Sequence, residues 1–231
     1  TGSTADVNTA FTAFADGKVA SLGNEAVILT NKAVFAETVV AIDSATSGAI
    51  NATNVTTLTG SASNVNSALT SAGITNLDGD EAVTLSDTTL AAATLNTLDG
   101  NTTGAVDATT VTTLTGSAAN MNTAYASMGI SNLADEAVTL TDTSLAAATL
   151  NMLDGNTTGT INAATLRTLT GSAANANSAY ASGGVTNLGD VTVILTDTTL
   201  TVATLNTLIG YSTGLVDATT VTTLTGSTTD V

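Results

Sequence analysis

The segment "TGS" begins at Thr1, Thr59, Thr115, Thr170 and Thr225, a nearly even spacing. A strand-like element, "EAVTL" in its commonest form, begins at Glu25, Glu81 and Glu136, with Val191 in the same place in the last copy. The step from that element to the next "TGS" is identical in all four cases: Glu25 to Thr59, Glu81 to Thr115, Glu136 to Thr170 and Val191 to Thr225. The step before it is not: it is longest from Thr1 to Glu25, shorter from Thr59 to Glu81 and shortest in the last two copies. All variation in length therefore falls in one segment, "FADGKVASLGN", "AGITNLDGD", "MGISNLAD" and "GGVTNLGD", which reads as a surface loop where insertions are tolerated. The invariant block is a packing unit. A period of this size marks a chain whose units are too small to bury their own apolar faces and are repeated until neighbours bury them.

Residues 136–190 show how one unit reads. "EAVTLT" alternates, with Val138 and Leu140 on one side, and predicts a short strand. Asp142 reads as the cap of a helix over "TSLAAATLNMLDG", with Leu145, Ala146, Thr149, Leu150 and Leu153 inward and Gly155 ending it. "TGTIN" predicts a second, shorter strand around Ile161. Asn162 then reads as the cap of a short helix through Leu166 and Leu169, stopped by Gly171. Ser172 opens a third helix whose face is Ala176, Ala179 and Tyr180. In the first unit the matching face is Val7, Ala10, Phe11 and Phe14.

The expected fold is α/β: one repeat solenoid over 1–231 with a continuous parallel sheet, built from units of strand-helix-strand-helix-helix. The units are 1–58, 59–114, 115–169 and 170–224, with a partial unit at 225–231. Strands joined through helices must run parallel with right-handed crossovers. Two strands per unit make eight, which at ~4.8 Å per strand gives roughly 40 Å of rod. On this reading Leu85, Leu140 and Leu195 stack along one axis. A pure β-helix is the alternative; it suits the threonine content but not the alanine-rich helical faces.

Such a core is made of small pieces. The chain is 43% hydrophobic but only 3% aromatic, and it has no Pro, Cys, His or Trp. Lys18, Lys32 and Arg167 are the only cations against 19 acids, a formal charge of −16. A surface this acidic repels nucleic acid and anionic lipid. No apolar run approaches the ~18 residues needed to cross a bilayer, so membrane insertion is not expected. The chain opens on Thr1 with no leader pattern, which reads as a processed product or part of something longer.

The units "EAVTLSDTTLAAATLNTLDGNTTGAVDATTVTTLTGSAANMNTAYASMGI" resemble repeats of giant Thr/Ala-rich cell-surface proteins of marine cyanobacteria and related bacteria. The likeness is strongest from Thr59 to Leu169. The first unit departs from it, with "TNKAVFAETVVAID" where the others have "SDTTLAAATLNTLD". What the resemblance implies is an extracellular structural protein at the cell surface, a sheath, fibre or adhesin stalk, with no catalytic residues.

The residue types agree with a non-enzymatic role. Without His or Cys, most nucleophile–base pairs and nearly all transition-metal sites are missing. The acids recur with the repeat, whereas an active site is singular. Asp87, Asp142 and Asp197 end the long strand, with Asn31 in the first slot; Asp107 and Asp217 end the short strand, with Asn51 and Asn162 elsewhere. These positions read first as helix caps, which explains the exchange of Asn and Asp. Their other reading is a carboxylate ladder bridged by calcium, since hard oxygens suit that ion. No other cofactor is expected. An exposed threonine face would make the chain an adhesin or an ice- or glycan-binding stalk, but Thr84, Thr139 and Thr192 offer one outward threonine per long strand. Sequons at Asn51, Asn54, Asn101 and Asn156 are the number a Thr-rich chain yields by chance.

The partner expected is the chain itself. "TGSTADV" opens the sequence and "TGSTTDV" closes it, the same phase of the repeat. Unfilled stacking faces are expected at Val7, Phe11 and Phe14 and at Leu215, Val221 and Leu224, and complementary faces on one molecule build an open head-to-tail filament.

Overall fold

The computed structural model describes residues 1–226. Chain order begins with helix α1 (Thr4–Ala15), strands β1 (Val27–Ile28) and β2 (Ala33–Phe35), then α2 (Ala36–Ala45), β3 (Ile50–Asn51), β4 (Thr57–Gly60) and α3 (Ala62–Thr70). It continues with β5 (Ile74–Thr75), β6 (Ala82–Leu85), β7 (Thr89–Ala91), α4 (Ala92–Asn101), β8 (Val106–Asp107), β9 (Thr113–Gly116) and α5 (Ala118–Ala126). Next come β10 (Ile130–Ser131), β11 (Ala137–Leu140), β12 (Ser144–Ala146), α6 (Ala147–Asn156), β13 (Ile161–Asn162), β14 (Thr168–Gly171) and α7 (Ala173–Ala181). The described chain ends with β15 (Val185–Thr186), β16 (Thr192–Leu195), β17 (Thr199–Thr201), α8 (Val202–Tyr211), β18 (Val216–Asp217) and β19 (Thr223–Thr225). Every strand pair among these is parallel. The fold is therefore α/β, a repeating strand–helix arrangement. Of the partial unit at 225–231, residues 227–231 lie outside the described residues.

Two compact units, interleaved in sequence, are formed. The first comprises Thr1–Leu90, Thr94–Val111 and Ser127–Leu133, and carries the sheets β1-β3-β5 and β10-β8-β6-β4-β2. Down the second of these sheets, Val34, Leu58, Val83, Val106 and Ile130 lie side by side, all buried. The other unit comprises Ala91–Ala93, Thr112–Ala126 and the described residues from Ala134 on, and carries β15-β13-β11-β9, β12-β14-β16-β18 and β17-β19. There Leu114, Val138, Ile161 and Val185 form one inward row, and Leu145, Leu169, Val193 and Val216 another. Each fully buried leucine in these rows contributes roughly 2–3 kcal/mol.

Neighbours in a row are one circuit of the backbone apart, as in Val83 beside Val106 and Leu58 beside Val83. That circuit is less than half the sequence period. It consists of two strands starting seven residues apart, such as Ala82 and Thr89, then a helix that returns the chain to its sheet. Two circuits and one extra strand step of seven residues make one sequence period. This corrects the expectation of two strands per unit and one continuous sheet: Ala82 to Ser131 holds five strands and two helices, and the strands form five sheets. It also corrects the expected stack of Leu85, Leu140 and Leu195. These leucines pair with Gly60, Gly116 and Gly171 in three different sheets.

"TLTGS" is the turn from strand to helix, not the end of a helix. Its Leu points inward and the flanking threonines outward, as strand alternation requires. The glycine has φ of +156° at Gly60, +139° at Gly116 and +146° at Gly171, a region closed to residues with a Cβ. The short helix expected after Asn162 is absent, because Thr168–Gly171 is a strand. The helix expected from Thr143 starts at Ala147, because Ser144–Ala146 also joins a sheet and spends Leu145 on its inner face. The length-variable segment, expected as loop throughout, carries the two-residue strands Ile74–Thr75, Ile130–Ser131 and Val185–Thr186. Helices bury three residues at three-residue spacing: Ala62, Val65 and Ala68 in α3, Ala147, Leu150 and Leu153 in α6.

Candidate functional site

The five aspartates of the expected ladder fall into two groups. Asp87, Asp142 and Asp197 each reach back one circuit to the first N–H of an earlier helix. Ala62 N donates to Asp87 Oδ2 at 2.7 Å, Ala118 N to Asp142 Oδ2 at 2.8 Å and Ala173 N to Asp197 Oδ2 at 2.7 Å. Asn31 does the same in the first circuit, accepting from Thr4 N at 2.8 Å. Each of these helices also has its own serine cap: Ser3, Ser61, Ser117 and Ser172 accept from Asp6, Asn64, Asn120 and Asn175 N at 3.2 to 3.3 Å. Two of the four orphan N–H groups at each N-terminus are thereby satisfied, and three of the caps place a negative charge at the positive end of the helix dipole. The sequence predicts that Asp142 caps the following helix. It caps the helix before, because strand Ser144–Ala146 lies between Asp142 and α6. The next circuit locks the same turn: the Thr110 hydroxyl donates to the carbonyls of Leu85 and Asp87, both at 2.9 Å, and Thr165 and Thr220 repeat this one and two units on.

Asp107 and Asp217 close turns at the end of the short strands. Asp107 Oδ1 accepts from Thr109 N at 3.0 Å, from the Thr109 hydroxyl and from Asn132 Nδ2 at 2.8 Å. These bonds hold its carboxyl below the usual range, the Thr109 hydroxyl most of all, then the Asn132 amide. Asp217 is also lowered, chiefly by the Thr219 backbone N–H. Neutral Asn51 and Asn162 fill the same geometry, taking Asn76 and Asn187 Nδ2 at 3.1 and 2.8 Å. Asn76, Asn132 and Asn187 have φ of +61°, +62° and +65°, a conformation Asn tolerates better than most residues. Among the described residues no three acidic groups come together in a way that could hold a metal ion.

Two further acid positions, one of them in the acidic turn "NLDGDE" (76–81), have a burial and partners that the sequence does not show. Glu81 and Glu136 are buried. Glu81 accepts from Asp78 N at 3.0 Å and Gly79 N at 3.1 Å, tying down its own loop, and Glu25 does likewise with Gly23 N at 2.7 Å and Asn24 N at 3.1 Å. The loop before Glu136 is one residue shorter. Glu136 Oε2 takes the Tyr125 hydroxyl at 3.2 Å, and Oε1 has no partner. Burial, reinforced by the nearby Glu136 charge, pushes the Tyr125 phenol up to about 12. On the helices, Asp43, Asp99 and Asp154 accept from the hydroxyls of Ser71, Ser127 and Ser182 at 2.7 to 2.8 Å, each serine 28 residues on. The repetition at the "LDG" and "SxG" segments is the signal that points to them.

The threonine face is broken. In "TLT" strands the outward residues are Thr57 and Thr59, beside Ala82 and Thr84, but Asp107 follows Thr84 in the row. Asn162 interrupts the row of Thr115 and Thr139, and Ile194 that of Thr170. Taking "TLT" as helical counts too few outward threonines, yet these rows still hold at most three hydroxyls in succession, and the rows of Thr57 and Thr170 only one. Three of the four sequon amides are also engaged, Asn54, Asn101 and Asn156 donating to Leu29 O, Asn66 Oδ1 and Asn122 Oδ1.

Of the residues expected at the stacking faces, Leu215 and Leu224 are 68% and 56% exposed, while Val7, Phe14 and Val221 are half-buried. Phe11 is corrected: it is buried within its own chain, where α1 packs on α2. Ile209 (55% exposed), Tyr211 and Ile194 in the last repeat and Phe35 and Ile28 in the first are exposed beyond what the sequence predicts. No family model, curated protein or solved structure matches this chain. No helix of the described residues is long and apolar enough to cross a membrane.

Proposed function

We propose that the chain is a segment of an acidic extracellular fibre or sheath, an α/β solenoid that extends head to tail at the cell surface and has no catalytic role. The observation carrying this reading is the use made of the recurrent polar side chains. Asp87, Asp142 and Asp197 cap a helix about one circuit away, and Thr110, Thr165 and Thr220 bind carbonyls of the circuit before. Groups that an enzyme would turn toward a substrate are spent joining neighbours. The open edges of β18 and β19, each paired on one side among the described residues, suit continuation of the array. A charge of −16 keeps rods apart sideways and disfavours nucleic acid as a partner. The reading requires no cofactor.

Sedimentation velocity across a wide concentration range, with electron microscopy of the same samples, tests it. The expected result is rods that lengthen with concentration at constant width. A compact monomer at every concentration would overturn the reading.

A further inference from the structure

One circuit departs from the repeat at several positions that gather around a single groove. The groove has a volume of about 620 Å³ and is lined by Ala164, Arg167, Asn187, Gly189 and Asp190, all exposed. The repeats supply their own comparison. Where Arg167 stands, the other units have Thr56, Thr112 and Thr222; where Ala164 stands, they have Thr53, Thr109 and Thr219. Gly189 takes the place of Ala134 one unit earlier, and Val191, directly after Asp190, takes that of Glu136. Asn162, whose Oδ1 holds the Asn187 amide, takes that of Asp107. Compared with the unit before, this circuit has lost methyl and hydroxyl groups and two nearby carboxylates. It has gained the only arginine in the chain.

The arginine does not serve the repeat. At the same position the hydroxyls of Thr56 and Thr222 donate to the carbonyls of Lys32 and Thr198, one circuit back, at 3.3 and 3.1 Å. Arg167 gives up that bond. Its Nη1 donates instead to Ala164 O at 2.9 Å and Leu166 O at 3.0 Å, which fixes the plane of the guanidinium. The Nε–Nη2 edge, a pair of parallel N–H groups, is left without a partner among the described residues. Asp190 lines the same groove but does not pair with it: among the described residues the one ion pair joins Lys18 and Asp16. Asn187 spends its Nδ2 on Asn162 and keeps its Oδ1 free. The groove thus holds a fork of donors and a set of acceptors that do not neutralise each other.

A molecule satisfying both carries a carboxylate, which the Nε–Nη2 edge matches with two parallel hydrogen bonds, and a cationic N–H donor for Asp190 and Asn187 Oδ1. A simple anion would meet the field of a chain charged −16, and a simple cation would meet the arginine; a zwitterion avoids both penalties. The volume suits a small molecule.

We propose that this groove binds an α-amino acid, with its carboxylate on Arg167 and its ammonium group on Asp190. The site goes beyond the fibre reading and stands or falls separately from it.

Because Arg167 is the only arginine, its Nε–H gives a single NMR signal to follow. That signal and the Gly189 amide are recorded at neutral pH and low salt while L-alanine, L-lactate or ethylamine is added. L-alanine should shift both signals saturably. L-lactate, with a hydroxyl in place of the ammonium group, should bind at least tenfold more weakly, and ethylamine, which lacks the carboxylate, should leave the Arg167 signal in place. Arg167→Thr should weaken L-alanine binding at least tenfold, read at Gly189, since two charge-assisted hydrogen bonds are lost. The same variant should melt at or above the parent's temperature, because a threonine here regains the bond to Thr143 O that Arg167 makes only through its backbone N–H. Asp190→Asn should remove the preference for L-alanine over L-lactate. The proposal is overturned if L-alanine produces no saturable shift, if Arg167→Thr binds it as the parent does, or if L-lactate binds as tightly as L-alanine, which would make the groove a plain anion site.

Discussion

Replacing Asp142 separates a cap from a cation ligand. In Asp142→Ala the Ala118 N–H loses its acceptor at 2.8 Å, while Ser117 still holds Asn120 N. A lost cap costs about 0.5–2 kcal/mol. Removing a negative charge from a helix N-terminus costs a further 0.3–1 kcal/mol or so. Together these give about 2 kcal/mol, which for a chain of this size lowers the melting temperature by roughly 4–8 °C. Asp142→Asn keeps an acceptor oxygen, and Asn31 already serves this way for Thr4 at 2.8 Å. It should therefore lose only the charge contribution, about 0.5 kcal/mol. The assay is thermal unfolding by circular dichroism, with hydrogen exchange at the first turn of α5 and with chelator added in a parallel series. Chelator should change nothing. A calcium ladder predicts otherwise: an ion at about 100 times its Kd adds about 2.7 kcal/mol, so chelator would lower the parent's melting temperature and Asp142→Asn would cost as much as Asp142→Ala. That outcome, or an Asp142→Ala chain as stable as the parent, refutes the capping argument.

Two buried glutamates should respond oppositely to the same change. Glu136→Val removes a carboxylate with one unpartnered oxygen and copies Val191, so denaturant unfolding should find it as stable as the parent or more so, whereas Glu81→Val orphans the Asp78 and Gly79 N–H groups and should cost about 2–4 kcal/mol. Leu114→Ala, at a fully buried position, should cost about 3 kcal/mol in the same assay. The depressed carboxyls of Asp107 and Asp217 contribute stability that is present above the ordinary aspartate range and lost as acid protonates them; an NMR titration should find Asp107 ionised below that range, and Asp107→Asn should blunt the acid loss of stability. The Tyr125 phenol should resist ionisation up to about pH 12 in a spectrophotometric titration, and its contribution to stability should disappear as pH rises from the ordinary phenol value to that point.

The repeat, its fixed block and its variable segment are legible because insertions and the "TGS" register are visible in letters alone. So are the strand at Val138 and Leu140, the helix faces at Leu150, Leu153, Ala176 and Ala179, and the cap at Ser172. Three-residue strands are not legible. Leu166 and Leu169 fit a helical stripe as well as Leu169 between two threonines fits alternation, and only the sheet partners Leu145 and Val193 decide between them. The short circuit leaves only a partial trace: "LSDTTL" (85–90) resembles "VDATTV" (106–111), which marks each half of a unit as one coil, but residues sharing a row, such as Val83, Val106 and Ile130, sit in unlike sequence surroundings. Local rules assign Asp142 to the helix after it because they cannot see a helix one circuit back. The aspartate positions can be read from the letters; their partners cannot.

The direction of capping gives the chain an order of completion. Helix α3 receives its second cap only when Asp87 arrives, α5 only with Asp142 and α7 only with Asp197. As the polypeptide leaves the ribosome, the newest helix of this class is always half-finished and is sealed by residues not yet made. Growth from the N-terminus therefore proceeds by zippering, each emerging circuit fastening the one before. A chain cut short of Asp142 should show an α5 whose first amides exchange fast while α3 stays protected; equal protection of the two would mean that the circuits close independently.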